Sequence, residues 1–255
     1  MTKLHVVTRG DRSKPAILFV HALGTDHRFW DEVVAGLEGS YFCITPDLQA
    51  AGKTPNPPQP VDAAGHAADL AAVLRDLGVA RAVLVGCAIG GMVAAGLAAT
   101  HPDLAAGLVM TNPGVRNADE VKGILRARVD EVRQHGMQVL LPAAPERSFH
   151  GMPRDARYDL YVERYVAQDP EGYALSVLGF LDIDIMPILP QIKCPLLLIP
   201  GGNDVLMPRD SAEVIAARVA QAEIVRFEEA AHFIPFQVPQ QFLEALRAFL
   251  AKVVK

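Results

Sequence analysis

The sequence predicts an α/β protein, a mostly parallel central sheet with helices on both faces and an all-α lid insertion. Three observations carry this. Short apolar runs rich in β-formers alternate with amphipathic segments over the first and last parts of the chain. Between about 115 and 189 that alternation stops and the text reads helical. Finally, Arg81 to Thr100, RAVLVGCAIGGMVAAGLAAT, passes from an apolar run into a small-residue helix through Gly86-Cys87-Ala88-Ile89-Gly90-Gly91. A turn that sharp crowds its apex against neighbours two before and two after, and only glycine fits comfortably at both flanks.

Taken in order, Leu4 to Thr8 alternates weakly, as an edge strand does, and Gly10 to Lys14 is a turn. Ala16 to Val20 is a buried strand leading into His21-Ala22-Leu23-Gly24. Thr25 or Asp26 can cap a helix carrying Phe29, Trp30, Val33, Val34 and Leu37. Tyr41 to Thr45 is the next strand and ends in Pro46-Asp47-Leu48. A Pro-, Ala- and Gly-rich loop precedes a helix over Val61 to Leu77, with Leu70, Val73, Leu74 and Leu77 on one face. After the central strand and helix, Ala106 to Thr111 is a strand ending at Asn112-Pro113-Gly114. The helical block that follows has breaks expected at Pro142, Pro145, Pro153 and Pro170. Strand signals return at Pro195 to Ile199 and Ala222 to Phe227, with helices from about Asp210 to Val219 and from Pro239 to Val253. The expected division is a core of residues 1–114 and 190–255, with 115–189 as a helical cap over the carboxyl ends of the strands, where such sheets bind ligands.

Length, composition and charge narrow the function classes. A chain of 255 residues can build one large core. The net charge of −5 and the lack of any basic run argue against nucleic acid or an acidic membrane as partner. No stretch is apolar for long enough to span a bilayer, and the N-terminus has no apolar leader segment, so the expected location is the cytoplasm. The expected partner is a small-molecule substrate acting on a monomer or homodimer, with no cofactor and no metal. Cys43, Cys87 and Cys194 each sit in an apolar run without C-x-x-C spacing, as buried free thiols do.

Two further stretches bear on chemistry. Gly201-Gly202-Asn203-Asp204 puts a carboxylate in the loop after a late strand, and Ala230-Ala231-His232-Phe233 puts a histidine after the last one. A carboxylate on Nδ1 fixes the tautomer of a histidine whose Nε2 is to accept a proton. Each residue also has a plainer reading, Asp204 as a turn residue and His232 as a capping or core histidine.

The turn Gly86-x-Ala88-x-Gly90 resembles the nucleophile elbow of the α/β-hydrolases, G-x-S-x-G, and the order apex, Asp, His is the one they use. The resemblance covers the whole chain. HALGTDHRFWDEV, PDLQAAGKTP, LVGCAIGGMVA, LDIDIMPILPQIKCPLLLIPGGND and AAHFIPFQVPQQF are similar to the small capped hydrolases of the 3-oxoadipate enol-lactonase group. It implies an α/β-hydrolase fold and cleavage of a small ester or enol-lactone by a Ser/His/Asp mechanism. Ala88 would hold the nucleophile position, Asp204 and His232 would complete the triad, and the N–H groups of Leu23 and Ile89 would form the oxyanion hole. Trp30, Met92 and Phe233 are candidates to line the substrate pocket, with core packing the plainer reading of Trp30. Cys87 cannot be the apex, because Val85 and Ile89 would then have to be glycine.

The chain departs from the family pattern at Ala22, Gln49-Ala50-Ala51-Gly52, Ala231 and Gln237, where glycine, R-G-H-G, glycine and glutamate are usual. Ala88 differs in kind, since a methyl cannot attack a carbonyl. Either alanine replaces the serine of an active hydrolase, leaving a binding-competent but inactive form, or the protein works without serine. In the second case a His–Asp dyad would act as base in lyase, C–C hydrolase or cofactor-free oxygenase chemistry, or the pocket would only bind a ligand.

Overall fold

The computed structural model describes residues 3–254 of the chain. Its strands are β1 (Val6–Arg9), β2 (Ala16–Val20), β3 (Phe42–Pro46), β4 (Ala82–Cys87), β5 (Ala105–Thr111), β6 (Leu196–Ile199) and β7 (Ala222–Ile224). They form one sheet in the order β1-β3-β2-β4-β5-β6-β7, parallel except for the β1–β3 pair. The helices are α1 (Asp31–Ala35), α2 (Ala63–Asp76), α3 (Ile89–Thr100), α4 (Asp119–His135), α5 (Ala143–Ser148), α6 (Ala156–Val166), α7 (Pro170–Phe180), α8 (Ser211–Ala216), α9 (Ile234–Gln237) and α10 (Pro239–Val253).

The central strands read as unbroken apolar runs because both faces of the sheet are covered. In β2, Leu18 and Val20 enter a core with Leu70, Leu74, Val93 and Leu97 from α2 and α3. Ile17 and Phe19, pointing the other way, enter a second core with Trp30, Val33, Leu246 and Leu250 around α1 and α10. On α10, Phe242, Leu243, Leu246, Phe249 and Leu250 are buried, each contributing about 1.5–3 kcal/mol relative to exposure.

Several boundaries differ from expectation for local reasons. The helix after β2 opens as a 3-10 turn over His27–Trp30, capped by the Asp26 carboxylate, which accepts from Arg28 N–H. β7 leaves the ladder after Ile224, although Val225 N–H still reaches Leu198 O at 2.9 Å and Phe227 bridges Gly201. Pro145 lies inside α5 rather than breaking it, whereas Pro170 opens α7, whose N-cap Asp169 accepts from Gly172 N–H.

Between β5 and β6 the described residues hold α4 to α7 and no strand of the sheet. This segment is tied to the loops at the carboxyl ends of the strands. Gln168 Nε2 donates to Gly24 O at 2.8 Å, Ser176 Oγ to Ala50 O at 3.3 Å, and His232 N–H to Ser148 O at 3.2 Å.

Candidate active site

β4 ends at Cys87, and Ala88 then takes φ 51°, ψ −118° before α3 begins. A side-chain-bearing residue holds such a conformation at a cost of order 1–3 kcal/mol, and only where its surroundings dictate it. They do so here. Ala88 N–H donates to Thr111 O at 2.9 Å, and Ala88 O accepts from Gly91 and Met92 N–H at 3.0 and 3.2 Å, starting the helix. A Cβ on Gly86 would lie 2.3 Å from Gly90 O, and one on Gly90 would lie 2.3 Å from Val20 O and 2.4 Å from His21 O. The ends of β2 and β4 and the start of α3 therefore touch backbone to backbone, which thrusts residue 88 outward.

Asp204 and His232, 28 positions apart, are brought together at the end of β6 and beyond β7. His232 Nδ1 lies 3.1 and 3.0 Å from Asp204 Oδ1 and Oδ2. Burial pushes the Asp204 carboxyl up, but the His232 ring, Leu206 N–H and the Asn112 amide outweigh it and hold its pKa below the ordinary value. An ionised carboxylate only accepts, so Nδ1 is the donor and Nε2 is the ring atom left to exchange a proton with a substrate or nucleophile.

His21 shapes the loop after β2. Its Nε2 accepts from Leu48 N–H at 3.0 Å, so Nδ1 carries the proton and donates to Ala22 O at 2.9 Å. Burial keeps the His21 pKa below its usual value, so the ring stays neutral. Thr25 adds its backbone N–H and hydroxyl to Ala22 O at 3.3 and 2.8 Å. Neither Leu23 nor Ile89 donates its N–H to a backbone acceptor outside the helices and strands among the described residues.

Leu23, Ala88, Ile89 and His232 line one cavity of about 610 Å³, walled on its far side by α4 residues. Residues 15–239 of the chain match the family described as the alpha/beta hydrolase fold. The chain belongs to that family. It is 27% identical over 256 aligned residues to 3-oxoadipate enol-lactonase 2 of Acinetobacter baylyi, covering 98% of this chain and 93% of that protein. The enol-lactonase of Burkholderia xenovorans superposes with a TM-score of 0.92 at 28% identity, covering 98% of this chain and 97% of that one. A thermophilic esterase from Thermogutta terrifontis superposes with a TM-score of 0.91 at 26% identity, with 99% and 94% coverage.

Within this α/β-hydrolase, two of the three expected pocket residues lie elsewhere. Trp30 is fully buried between Phe19, Phe29 and Phe242, because the 3-10 turn faces it to the core. Met92 is 2% exposed and packs in the core that α2 and α3 share, its Sδ beside Gly114, and it does not line the cavity. Phe233 does line a smaller chamber of about 80 Å³, which adjoins His232.

Two of the departures from the family pattern, Gln237 and Gln49, have local partners. Gln237 Oε1 accepts from Ala231 and Phe233 N–H at 3.1 and 3.2 Å, while Nε2 donates to Ser148 O at 2.8 Å. It brackets His232 and ties it to α5, and a glutamate could not make the last bond. Gln49 Nε2 donates to Asp69 on α2 at 2.5 Å.

Sequence reasoning missed Asn112. Its Nδ2 donates to Asp204 Oδ2 at 3.0 Å and to Ala231 O at 2.7 Å, so one amide orients both halves of the pair. Its φ of 50° follows from that reach, and Asn before Pro at the end of a strand was the one available signal. The fold also gathers His5, His27 and Asp47, whose potential ligand atoms lie within 4.8 Å of one another. Asp47 there accepts from both imidazoles and from the N–H groups of His27 and Lys53, which locks the start of β1 to the end of β3.

Proposed function

We propose that this chain carries the site of a serine-type hydrolase for a small carboxylic ester or lactone, complete except for the attacking oxygen. Residues 115–189 act as its cap. The observation that carries the reading is the strained Ala88, aimed into the cavity that the Asp204-steered His232 also faces. A turn of this cost has no evident use in a site that does not need its tip residue presented. The family membership and its enol-lactonase and esterase relatives support hydrolysis as the reaction type.

With the hydroxyl supplied by Ala88→Ser, His232 Nε2 takes its proton as the oxygen attacks the carbonyl carbon. The N–H groups of Leu23 and Ile89 receive the developing oxyanion, and one such donor is worth about 3–4 kcal/mol in other hydrolases. His232 then protonates the leaving oxygen. Water then attacks the acyl-enzyme: His232 takes a proton from the water and passes it to the residue-88 oxygen as the acid leaves, which restores the hydroxyl and the neutral ring. Asp204 remains ionised throughout and steadies the imidazolium.

The alanine form binds such substrates and turns them over slowly, because triad members act as a unit and the loss of one costs about 10⁴-fold or more. The test is the kcat/KM of Ala88→Ser on p-nitrophenyl acetate and on small lactones. A gain of at least about 10³-fold is expected. No gain would leave the His232–Asp204 pair acting without serine, as base or as part of a binding pocket.

A further inference from the structure

Two chambers of different size and chemistry meet at His232. The main cavity, about 610 Å³, falls within the range of about 300–1,000 Å³ that holds a ligand of drug size. Its walls are mostly aliphatic. Val121, Ile124 and Val205, at its mouth, are three of the six large apolar side chains that are exposed among the described residues. Aliphatic groups left in water are ordinary when scattered. Half of them rimming one opening marks a surface that something apolar covers.

The second chamber, about 80 Å³, is lined by Tyr161, Tyr165, Tyr173, Arg128 and Arg147. Arg128 is half-buried, and its guanidinium has a single bond, to the Tyr173 hydroxyl at 3.3 Å. Among the described residues no carboxylate pairs with Arg128 or Arg147, whereas Arg133, Arg154 and Arg157 of the same segment all have one. A partly desolvated guanidinium without a counter-ion is costly unless a ligand supplies the charge. Burial raises the Tyr161 and Tyr165 pKa values, so both hydroxyls keep their protons; Tyr165 donates its own to Tyr173 Oη at 3.2 Å, and Tyr173, which accepts from Tyr165 and Arg128, has its O–H left to offer a ligand. Leu23, Leu206 and His232 line both chambers, as do Arg128 and the exposed Arg147, so the guanidinium of Arg128 stands where the two meet and a carbonyl held at the amide of Leu23 has one chamber on either side of its scissile bond.

We propose that the substrate is an amphiphilic half-ester or related lactone. Its short anionic arm enters the Arg128–Tyr173 chamber, and its longer apolar group runs beneath α4 to the Val121–Ile124–Val205 rim. This rests on the hydrolase reading for which carbonyl is attacked, but the sorting of the two arms is a matter of binding alone. The small chamber holds a carboxylate and two or three carbons. The aliphatic walls take the alkyl chain, and the exposed Arg116 and Asp210 of the main cavity offset each other, which leaves Arg128 and Arg147, shared with the tyrosine-lined chamber, as the cations that the anion meets.

The test is calorimetric titration of the chain as it stands, with alanine at position 88, against monomethyl, monobutyl and monohexyl succinate, and against hexyl butanoate as the uncharged control. Affinity should rise about two- to fourfold per added methylene, and the succinate should bind at least tenfold more tightly than the uncharged ester of equal chain. Arg128→Met should remove the preference for the anion while keeping the chain-length slope, and Arg128→Lys should keep part of the preference. Ile124→Ser, at an exposed position that the fold does not depend on, should flatten the slope beyond butyl and leave the anion preference intact.

Equal affinity for charged and uncharged esters, or no dependence on chain length, overturns the proposal. If the binding pattern holds but Ala88→Ser hydrolyses none of these esters, the hydrolase reading fails and the assignment of the two chambers stands. If Ala88→Ser hydrolyses them without regard to arm or chain, the reverse is true.

Discussion

Replacing Gly90 and Gly96 by alanine, two positions on the same helix, should move stability in opposite directions. In α3 both residues would gain helix propensity, worth up to about 1 kcal/mol each. At Gly96 the new Cβ would sit 3.6 Å from the Ala67 Cβ, an ordinary contact. The gain should survive as about 0.5–1 kcal/mol, or roughly 1–4 °C in Tm for a domain of this size. At Gly90 the Cβ would lie 2.3 and 2.4 Å from the backbone oxygens of Val20 and His21. Those carbonyls belong to the end of β2 and cannot rotate away, so α3 or the strand must shift by about an ångström to restore contact distance. Overpacking of this kind costs about 1–3 kcal/mol and sometimes more, so a Tm loss of roughly 2–10 °C is expected. The same shift would displace the Ile89 N–H, so ligand affinity should fall as well. Circular dichroism melts of the two variants beside the parent decide the matter. If Gly90→Ala proves as stable as Gly96→Ala, residue 88 is not held out by backbone contact, and the account of the elbow is wrong.

Two further perturbations probe the surroundings of the site. Gln237→Glu removes the donor to Ser148 O and sets a carboxylate against that carbonyl. The stability loss should be about 1–3 kcal/mol, with faster amide exchange at His232, whose N–H bonds the same oxygen; unchanged exchange there would show that Gln237 does not tether the loop. His66 is buried against the Phe180 ring, and burial lowers its pKa to about 4. The unfolded chain takes up this proton below about pH 6.5 while the folded chain does not, so stability falls between those values, by about 3 kcal/mol at pH 4. His66→Gln, whatever its effect at pH 7, should flatten that fall in urea titrations at pH 7.0 and 4.5. A slope equal to that of the parent would remove His66 from the acid response.

What could be read in the sequence was what depends on near neighbours. Leu18 with Val20 and Ile17 with Phe19 form an apolar run because the sheet is covered on both sides, and runs of that kind mark the strands to within a residue or two, except β7 at the sheet's edge, which ends three residues early. Gly86 and Gly90 mark the elbow through a steric rule that spans four residues. What could not be read depends on partners far along the chain. Asn112 bonds Asp204 and Ala231, 92 and 119 positions away, and Gln237 meets Ser148 across 89. No periodicity encodes such pairs. Trp30 reads equally as pocket floor or as core, because an aromatic next to a loop looks the same whether the first helical turn is α or 3-10; here the 3-10 turn faces it to the core. Arg128 is indistinguishable in the sequence from its ion-paired neighbours on the same segment; only the packing of α4 against the tyrosines of α6 and α7 sets it apart.

The account stands on one claim, that position 88, His232 and Asp204 form a nucleophile site lacking a single oxygen. Its most direct measurement is intact-protein mass spectrometry of Ala88→Ser after exposure to a fluorophosphonate, which bonds only to a serine whose proton a neighbouring base can take. The account predicts one adduct, on the peptide carrying residue 88, absent from the parent chain and from the double variant Ala88→Ser/His232→Ala. An unlabelled Ala88→Ser protein that is folded and still binds ligand would contradict it.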